Sequence, residues 1–212
     1  MTTGNGNREK ELRSVRDEIM ELKESPLYAY RLANHYNPVI GQGAHNADIM
    51  FVGEAPGKNE AEQGRPFCGA AGKILDELLS SISLPREKVY ITNILKDRPP
   101  GNRDPLPQEI ELYAPFLDRQ IEAIKPRVLA TLGRFSMEYI FKRYGLGDKL
   151  EKISATHGKV FSTTFRWKES VIIVPLYHPA VAIYNRNQLD ELKKDFEVLK
   201  QFISSDTLKK SS

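Results

Sequence analysis

The chain has 212 residues, 40% of them hydrophobic and 28% charged, with a formal net charge of +3. That is enough apolar material for the full core of a single domain spanning residues 1–212, and the mild basicity permits a polyanionic partner without demanding one. The lone cysteine, Cys68, excludes an intramolecular disulfide. No Cys/His cluster has zinc spacing, and no apolar stretch approaches the ~18 residues of a membrane span, so a soluble, intracellular protein is expected.

Residues 1–7 and 204–212 are polar and small, and both ends read as disordered. Residues 8–24 read as an N-terminal helix with Leu12, Val15, Ile19 and Leu22 along one stripe; Ser25-Pro26 ends it. Gly41 and Gly43 suggest a turn into a first strand over Asp48–Gly53, IMFVG at its heart. A loop follows, Glu54 to Gly69, whose carboxylates include Glu54 and Glu60, together with Phe67 and the glycines 57, 64 and 69. A helical pattern then places Ile74, Leu75, Leu78 and Leu79 on one face.

A second strand spans Lys88–Leu95 and ends in Asn93 and a stiff, proline-rich loop, Lys96–Pro105, with three basic side chains. Pro107 opens a helix to Ile124, with Glu109 and Glu111 suited to its N-terminal dipole. Arg127–Leu132 reads as a third strand and Ser136–Tyr144 as a helix. Residues 145–170 look irregular, but Val160, Phe161, Phe165 and Trp167 suggest a hairpin. Val171–Leu176 is a fourth strand, followed by Tyr177-His178-Pro179-Ala180, and a last helix runs from Leu189 to Ile203. Strands alternating with helices predict an α/β fold: a three-layer α/β/α sandwich around a four-stranded parallel sheet.

In such a sheet the carboxyl ends of the strands share one edge, so the loops after strands one, two and four can converge. They would bring together two carboxylates, an aromatic face, an amide and an imidazole. An amide recognises a planar ligand with a donor beside an acceptor, a phenylalanine stacks on its ring, and an imidazole stabilises charge developing on it. A nucleobase pocket and a hydrolytic reaction fit that set. Each element is ambiguous alone: the glycines can serve turns, Phe67 can be core, Asn93 and His178 can be caps, Arg98 and Arg103 can be solvated charges, and Cys68 reads as a small buried residue.

Three blocks in register, Gly53–Leu75, Ile91-Thr92-Asn93 through Arg98-Pro99-Pro100-Gly101-Asn102-Arg103, and Tyr177-His178-Pro179-Ala180, closely resemble family 4 uracil-DNA glycosylases over residues 37–203. The resemblance implies a monofunctional DNA-repair enzyme that flips uracil out of the helix and hydrolyses its bond to deoxyribose. It implies Glu54 and His178 as catalytic residues, with His178 donating to uracil O2. It implies Phe67 stacking on the base and Asn93 reading its edge against cytosine. Glu60 would border the C5 edge, and Ala55 would stand where other uracil glycosylases carry a water-activating aspartate. Arg98, Asn102, Arg103 and Arg186 would meet DNA, with Ile183 or Tyr184 filling the space of the flipped base. The partner is uracil-containing DNA, single- or double-stranded, met by a monomer without a membrane.

The same resemblance exposes a departure. Family members carry four cysteines that bind a four-iron, four-sulfur cluster: two before strand one, one at position 97, and one in the helix over 107–124. Here position 97 is aspartate and the other regions hold no cysteine, so no cofactor is expected; Tyr28, Tyr30, Leu32 and Tyr113 are candidates to fill the space. A branch that forms covalent adducts through a histidine in a basic loop does not fit, because the loop after Asn93 has no histidine. Two alternatives stand beside uracil excision: a glycosylase for hypoxanthine or xanthine, and a DNA-binding relative without catalysis.

Overall fold

The computed structural model describes residues 3–203. Its centre is a six-stranded sheet: β1 (Gln42–Gly43), β2 (Ile49–Gly53), β3 (Tyr90–Asn93), β4 (Val128–Leu132), β5 (Phe161–Phe165) and β6 (Lys168–Leu176), in the order β1-β3-β2-β4-β6-β5. The inner four strands are parallel, as expected, whereas β1 and β5 add antiparallel edges and make the sheet mixed. β5 and β6 form the hairpin suggested by the aromatic run, and β6 begins at Lys168 because its first residues pair with β5 before the strand enters the core.

Side-chain alternation along the strands divides the core in two. Met50, Val52, Leu129 and Ile173 face a cluster that holds Leu12, Val15 and Ile19 of α1 (Thr3–Met20), Leu117 and Ile121 of α5 (Pro107–Ile124), and Ile140 of α6 (Arg134–Arg143). Ile49, Phe51, Ala130 and Val174 face the other cluster, with Leu75 and Leu78 of α4 (Ala70–Ser81) and Leu192 and Phe196 of α9 (Leu189–Glu197). Helices therefore cover both faces, and the three-layer expectation holds.

Other boundaries shift for local reasons. α1 starts at Thr3, so residues 3–7 are helical rather than disordered; positions 1–2 and the tail 204–212 lie outside the described residues. The last helix ends at Glu197 and tightens into a 3-10 turn over Val198–Phe202. α2 (Pro26–Ala33), absent from the sequence reading, is capped by Ser25, whose Oγ accepts from the Leu27 N–H, with proline at its first position. α5 begins where expected. Glu109 accepts from the Leu106 N–H at 2.9 Å and also binds Arg103, so one carboxylate caps the helix and holds the loop before it.

The Phe196 ring is fully buried and stacks on Phe51 of β2, with centroids 5.8 Å apart. Phe196→Ala is expected to lower unfolding free energy by roughly 3–5 kcal/mol in urea denaturation, because it leaves a cavity where a fully buried ring packed on the sheet.

Candidate active site

The carboxyl ends of β2, β3 and β6 open onto a cavity of about 480 Å³. It is lined by Glu54, Ala55, Glu60, Phe67, Asn93, Asn102, Arg103, His178 and Tyr184, so nine of the twelve sequence-predicted residues meet at one place. Arg98, Ile183 and Arg186 do not line it. A larger cavity, about 710 Å³, lies between Arg8, Arg119 and Trp167, away from these strand ends and without any of these residues.

Register builds the site. Gly53 pairs with Asn93, and beyond the strands the Ile94 and Leu95 N–H groups donate to the Gly53 and Glu54 carbonyls, both at 3.0 Å. A Cβ at Gly53 would lie 2.3 Å from Asn93 Oδ1 and 2.8 Å from Phe67 Cζ. Glycine is required there so that the amide and the ring can approach the strand. Asn93 is buried, and its Oδ1 has no hydrogen-bond partner. A buried acceptor left unpaired is costly, so its position in a cavity points to a ligand donor.

Phe67 is held in a left-handed conformation, φ 48°, that a phenylalanine rarely adopts. The restraint comes from Glu60: its Oε1 accepts from the Cys68 N–H at 3.0 Å and the Gly69 N–H at 2.7 Å, at the N-terminus of α4. Glu60 thus borders the cavity with one oxygen committed to the loop that carries Phe67. Gly72, on the first turn of α4, packs against the Phe67 carbonyl so closely that a Cβ would lie 1.9 Å from it. Cys68 is half-buried rather than buried, and desolvation raises its thiol pKa.

His178 tilts against Phe67, with ring centroids 5.6 Å apart. Its Nδ1 accepts from the Ala180 N–H at 3.1 Å. Burial pushes the imidazole down to about 4, against an opposing pull from Glu60, so the ring is neutral at pH 7. A neutral ring that accepts at Nδ1 carries its proton at Nε2. Glu54 moves the other way. Burial, reinforced by Asp104 and opposed by Arg134, raises it to about 7. Asp104 and Arg134 are themselves hydrogen-bonded to each other.

The expected DNA contacts separate by charge state. Arg103 is clamped by both Glu109 oxygens, at 2.9 and 2.5 Å, and Arg186 pairs with Glu77 at 3.2 Å. Arg98 packs over the Tyr36 ring and donates to Tyr36 Oη and Asn102 Oδ1; among the described residues it has no carboxylate partner. Tyr184 is 89% exposed on the cavity rim, and Ile183 is exposed beside it.

Two residues were not legible as functional. Lys96, counted among the three basic side chains of the proline-rich loop, is fully buried, and burial drives its pKa well down. Its Nζ donates to Thr92 Oγ1, the Asn93 carbonyl and Gln120 Oε1 at 2.6–2.7 Å, three acceptors for three donors. The hub completes the edge of β3 beyond the short β1. His157 stacks on Tyr177 at 4.2 Å and faces Asp195 through Nδ1 at 2.8 Å, which braces the strand end that delivers His178. Only their three-dimensional neighbours give either residue a role.

A family model described as the uracil DNA glycosylase superfamily matches residues 40–202. This chain belongs to that superfamily. It is 44% identical over 191 residues to a type-4 uracil-DNA glycosylase of Sulfurisphaera tokodaii, covering 90% of this chain and 84% of the relative. It is 46% identical over 180 residues to that of Archaeoglobus fulgidus, covering 85% and 87%. The Thermotoga maritima relative, also a type-4 uracil-DNA glycosylase, is 36% identical over 94% of this chain and 98% of its own length. The matched region of the superfamily includes every cavity residue described above.

Gly53→Ala is expected to fold, to lose roughly 1–3 kcal/mol in urea denaturation from overpacking, and to lose at least about 10²-fold in glycosylase rate as Asn93 and Phe67 are displaced.

Proposed function

We propose that this chain excises uracil from DNA, hydrolysing the bond between base and deoxyribose and leaving an abasic site. The observation that carries the reading is the unpaired, buried Asn93 Oδ1 beside Phe67 and His178 in one cavity. Uracil supplies the missing donor at N3–H and accepts from Asn93 Nδ2 at O4. Cytosine presents the opposite pattern at both atoms, and its mismatch would leave buried polar groups unpaired. Phe67 stacks on the base.

Departure of uracil leaves negative charge on the ring and positive charge on the sugar. The Nε2–H of neutral His178 donates to O2 as that charge builds, which suits a donor that must not protonate the base outright. The Glu54 carboxylate faces the cationic sugar and positions water against it, a task that Ala55 cannot perform. Glu60 acts mainly through the loop it fixes and borders the C5 edge. Arg98 is the best available phosphate contact because its charge is not spent on a carboxylate, whereas Arg103 and Arg186 must first leave theirs. Tyr184, on the rim, is better placed than Ile183 to occupy the space of the flipped base.

Single-turnover assays on oligonucleotides carrying one central U, T, C, hypoxanthine or xanthine test the reading: cleavage at U alone is expected, and cleavage at a purine would overturn the Asn93 argument. His178→Ala is expected to slow U excision by about 10²–10³-fold, as for loss of one oxyanion donor; an unchanged rate would remove it from this role.

The pH dependence has a definite sign. Glu54 is protonated below its pKa of about 7 and active as the carboxylate above it. kcat/KM should therefore rise by about tenfold between pH 6 and pH 8, and Glu54→Gln should flatten that rise while lowering the plateau.

A further inference from the structure

Cluster-bearing family members hold their iron from three regions: the segment before strand one, position 97, and the helix over 107–124. In this chain the same three regions meet in a closed hydrogen-bond network. Asp97, on the loop that leaves Asn93, accepts from Arg31 Nη1 at 3.1 and 3.2 Å and from Tyr113 Oη at 2.6 Å. Tyr113 Oη meets Ser25 Oγ at 2.8 Å. Since Tyr113 donates to Asp97, it accepts from Ser25, and Ser25 accepts in turn from the Leu27 N–H. The guanidinium also donates to the carbonyls of Ile19 and Met20 at the end of α1, and it packs on the Tyr28 ring.

All four side chains are at most 4% exposed. The donor set does not fit an iron–sulfur cluster: it contains no thiolate, a guanidinium stands among the donors, and both Asp97 oxygens are engaged. Cys68 lies on the loop beside Phe67, with Glu60. Among the described residues no group of three or more His, Cys, Asp or Glu could hold a metal ion. Of the side chains expected to fill this space, Tyr113 does so and Tyr28 flanks it, but Leu32 is exposed to solvent.

We infer that the buried Ser25–Tyr113–Asp97–Arg31 network is a metal-free cross-link that stands where relatives bind a cluster, and that it ties the N-terminal helices and α5 to the active-site loop. Its position gives it reach into the pocket. Asp97 is flanked by Lys96, which holds the Asn93 carbonyl, and by Arg98, the candidate phosphate contact. The role assigned to Asp97, Arg31 and Tyr113 is structural. The stability readouts stand alone, and only the activity readout rests on the uracil-excision reading.

The test uses the full chain, purified without oxygen, and the variants Asp97→Ala, Arg31→Met, Tyr113→Phe and the double variant Arg31→Met with Asp97→Leu. The parent is expected to hold no iron or acid-labile sulfide and to excise uracil at an unchanged rate after ferricyanide and chelator. Asp97→Ala strands a buried guanidinium and is expected to lower Tm by roughly 10 °C. The double variant removes both charges and should regain at least half of that loss, the coupling expected of a buried pair. If Asp97→Ala does not fold, Tyr113→Phe carries the test, with an expected fall of about 3–5 °C. About four irons per chain would overturn the inference. So would melting of the single variants within about 2 °C of the parent, or strictly additive effects. A parent that excises no uracil, with the Asp97–Arg31 coupling intact, would remove the functional reading and leave the cross-link standing.

Discussion

The pocket depends on the close approach at Gly53. The β2–β3 pairing puts this residue opposite Asn93, and the absent side chain leaves room for both the amide and the edge of Phe67. Two restraints with different origins meet there. One is the parallel sheet, whose ladder continues beyond the strands through Ile94 and Leu95 and fixes Asn93 relative to Glu54. The other is the Glu60 carboxylate, which holds the start of α4 and with it the unfavourable φ of Phe67. A strained aromatic on a flexible loop would relax away from the strand. With two main-chain amides bound to a buried-side carboxylate oxygen, and with Gly72 packed beneath its carbonyl, it does not.

The edge of the sheet at β3 poses a second problem. β1 is two residues long, so the polar groups beyond Ile91 lack a strand partner. Side chains complete the edge instead. Thr92 Oγ1 and Gln120 Nε2 donate to the Ile40 carbonyl, and Lys96 Nζ donates to Thr92, Asn93 and Gln120. Burying a lysine without a carboxylate is costly, which is why its pKa is driven down, and the acceptors around Nζ offset part of that cost. The arrangement holds the main chain of Asn93, the residue whose side-chain Oδ1 is left unpaired at the cavity.

The order of the parallel strands, their helices and the convergence of three loops were legible because alternation, glycine-rich βα loops and prolines are local signals. The two antiparallel edges were less so. β1 is too short to carry a period, and the length of β6 is set by pairing with β5 rather than by its own composition. The site residues were readable as residue types at strand ends, but their states were not. Arg103 and Arg98 sit five residues apart in one loop, and only the fold shows that Glu109 neutralises the first and that Tyr36 carries the second. Lys96 and Asp97 illustrate the same limit. Adjacent charged residues in a polar loop read as solvated, yet each is buried because its partners come from segments far away in the chain. The missing cysteines were visible; the network in their place was not, since Ser25, Arg31 and Tyr113 follow no pattern until they touch.

Burial moves the two candidate catalytic groups in opposite directions, and both shifts disfavour the charged form. His178 is neutral because its protonated form is poorly solvated there, and Glu54, raised to about 7 chiefly by burial, is about half protonated at pH 7. Neither group then carries a full charge in the pocket, while the Glu60 carboxylate borders it and is bound to the loop of Phe67. The reaction then creates the complementary charges. In the proposed reaction a cationic sugar would favour the Glu54 carboxylate and an anionic base the hydrogen bond from His178 Nε2, so both interactions would strengthen as the bond breaks. That is the differential stabilisation that lowers a barrier rather than merely tightening binding. Duties would also separate across the site: the desolvated groups would face the scissile bond, while Arg98 lies outside the cavity and the exposed Tyr184 on its rim, where attraction to a polyanion and access to a duplex would matter more than burial.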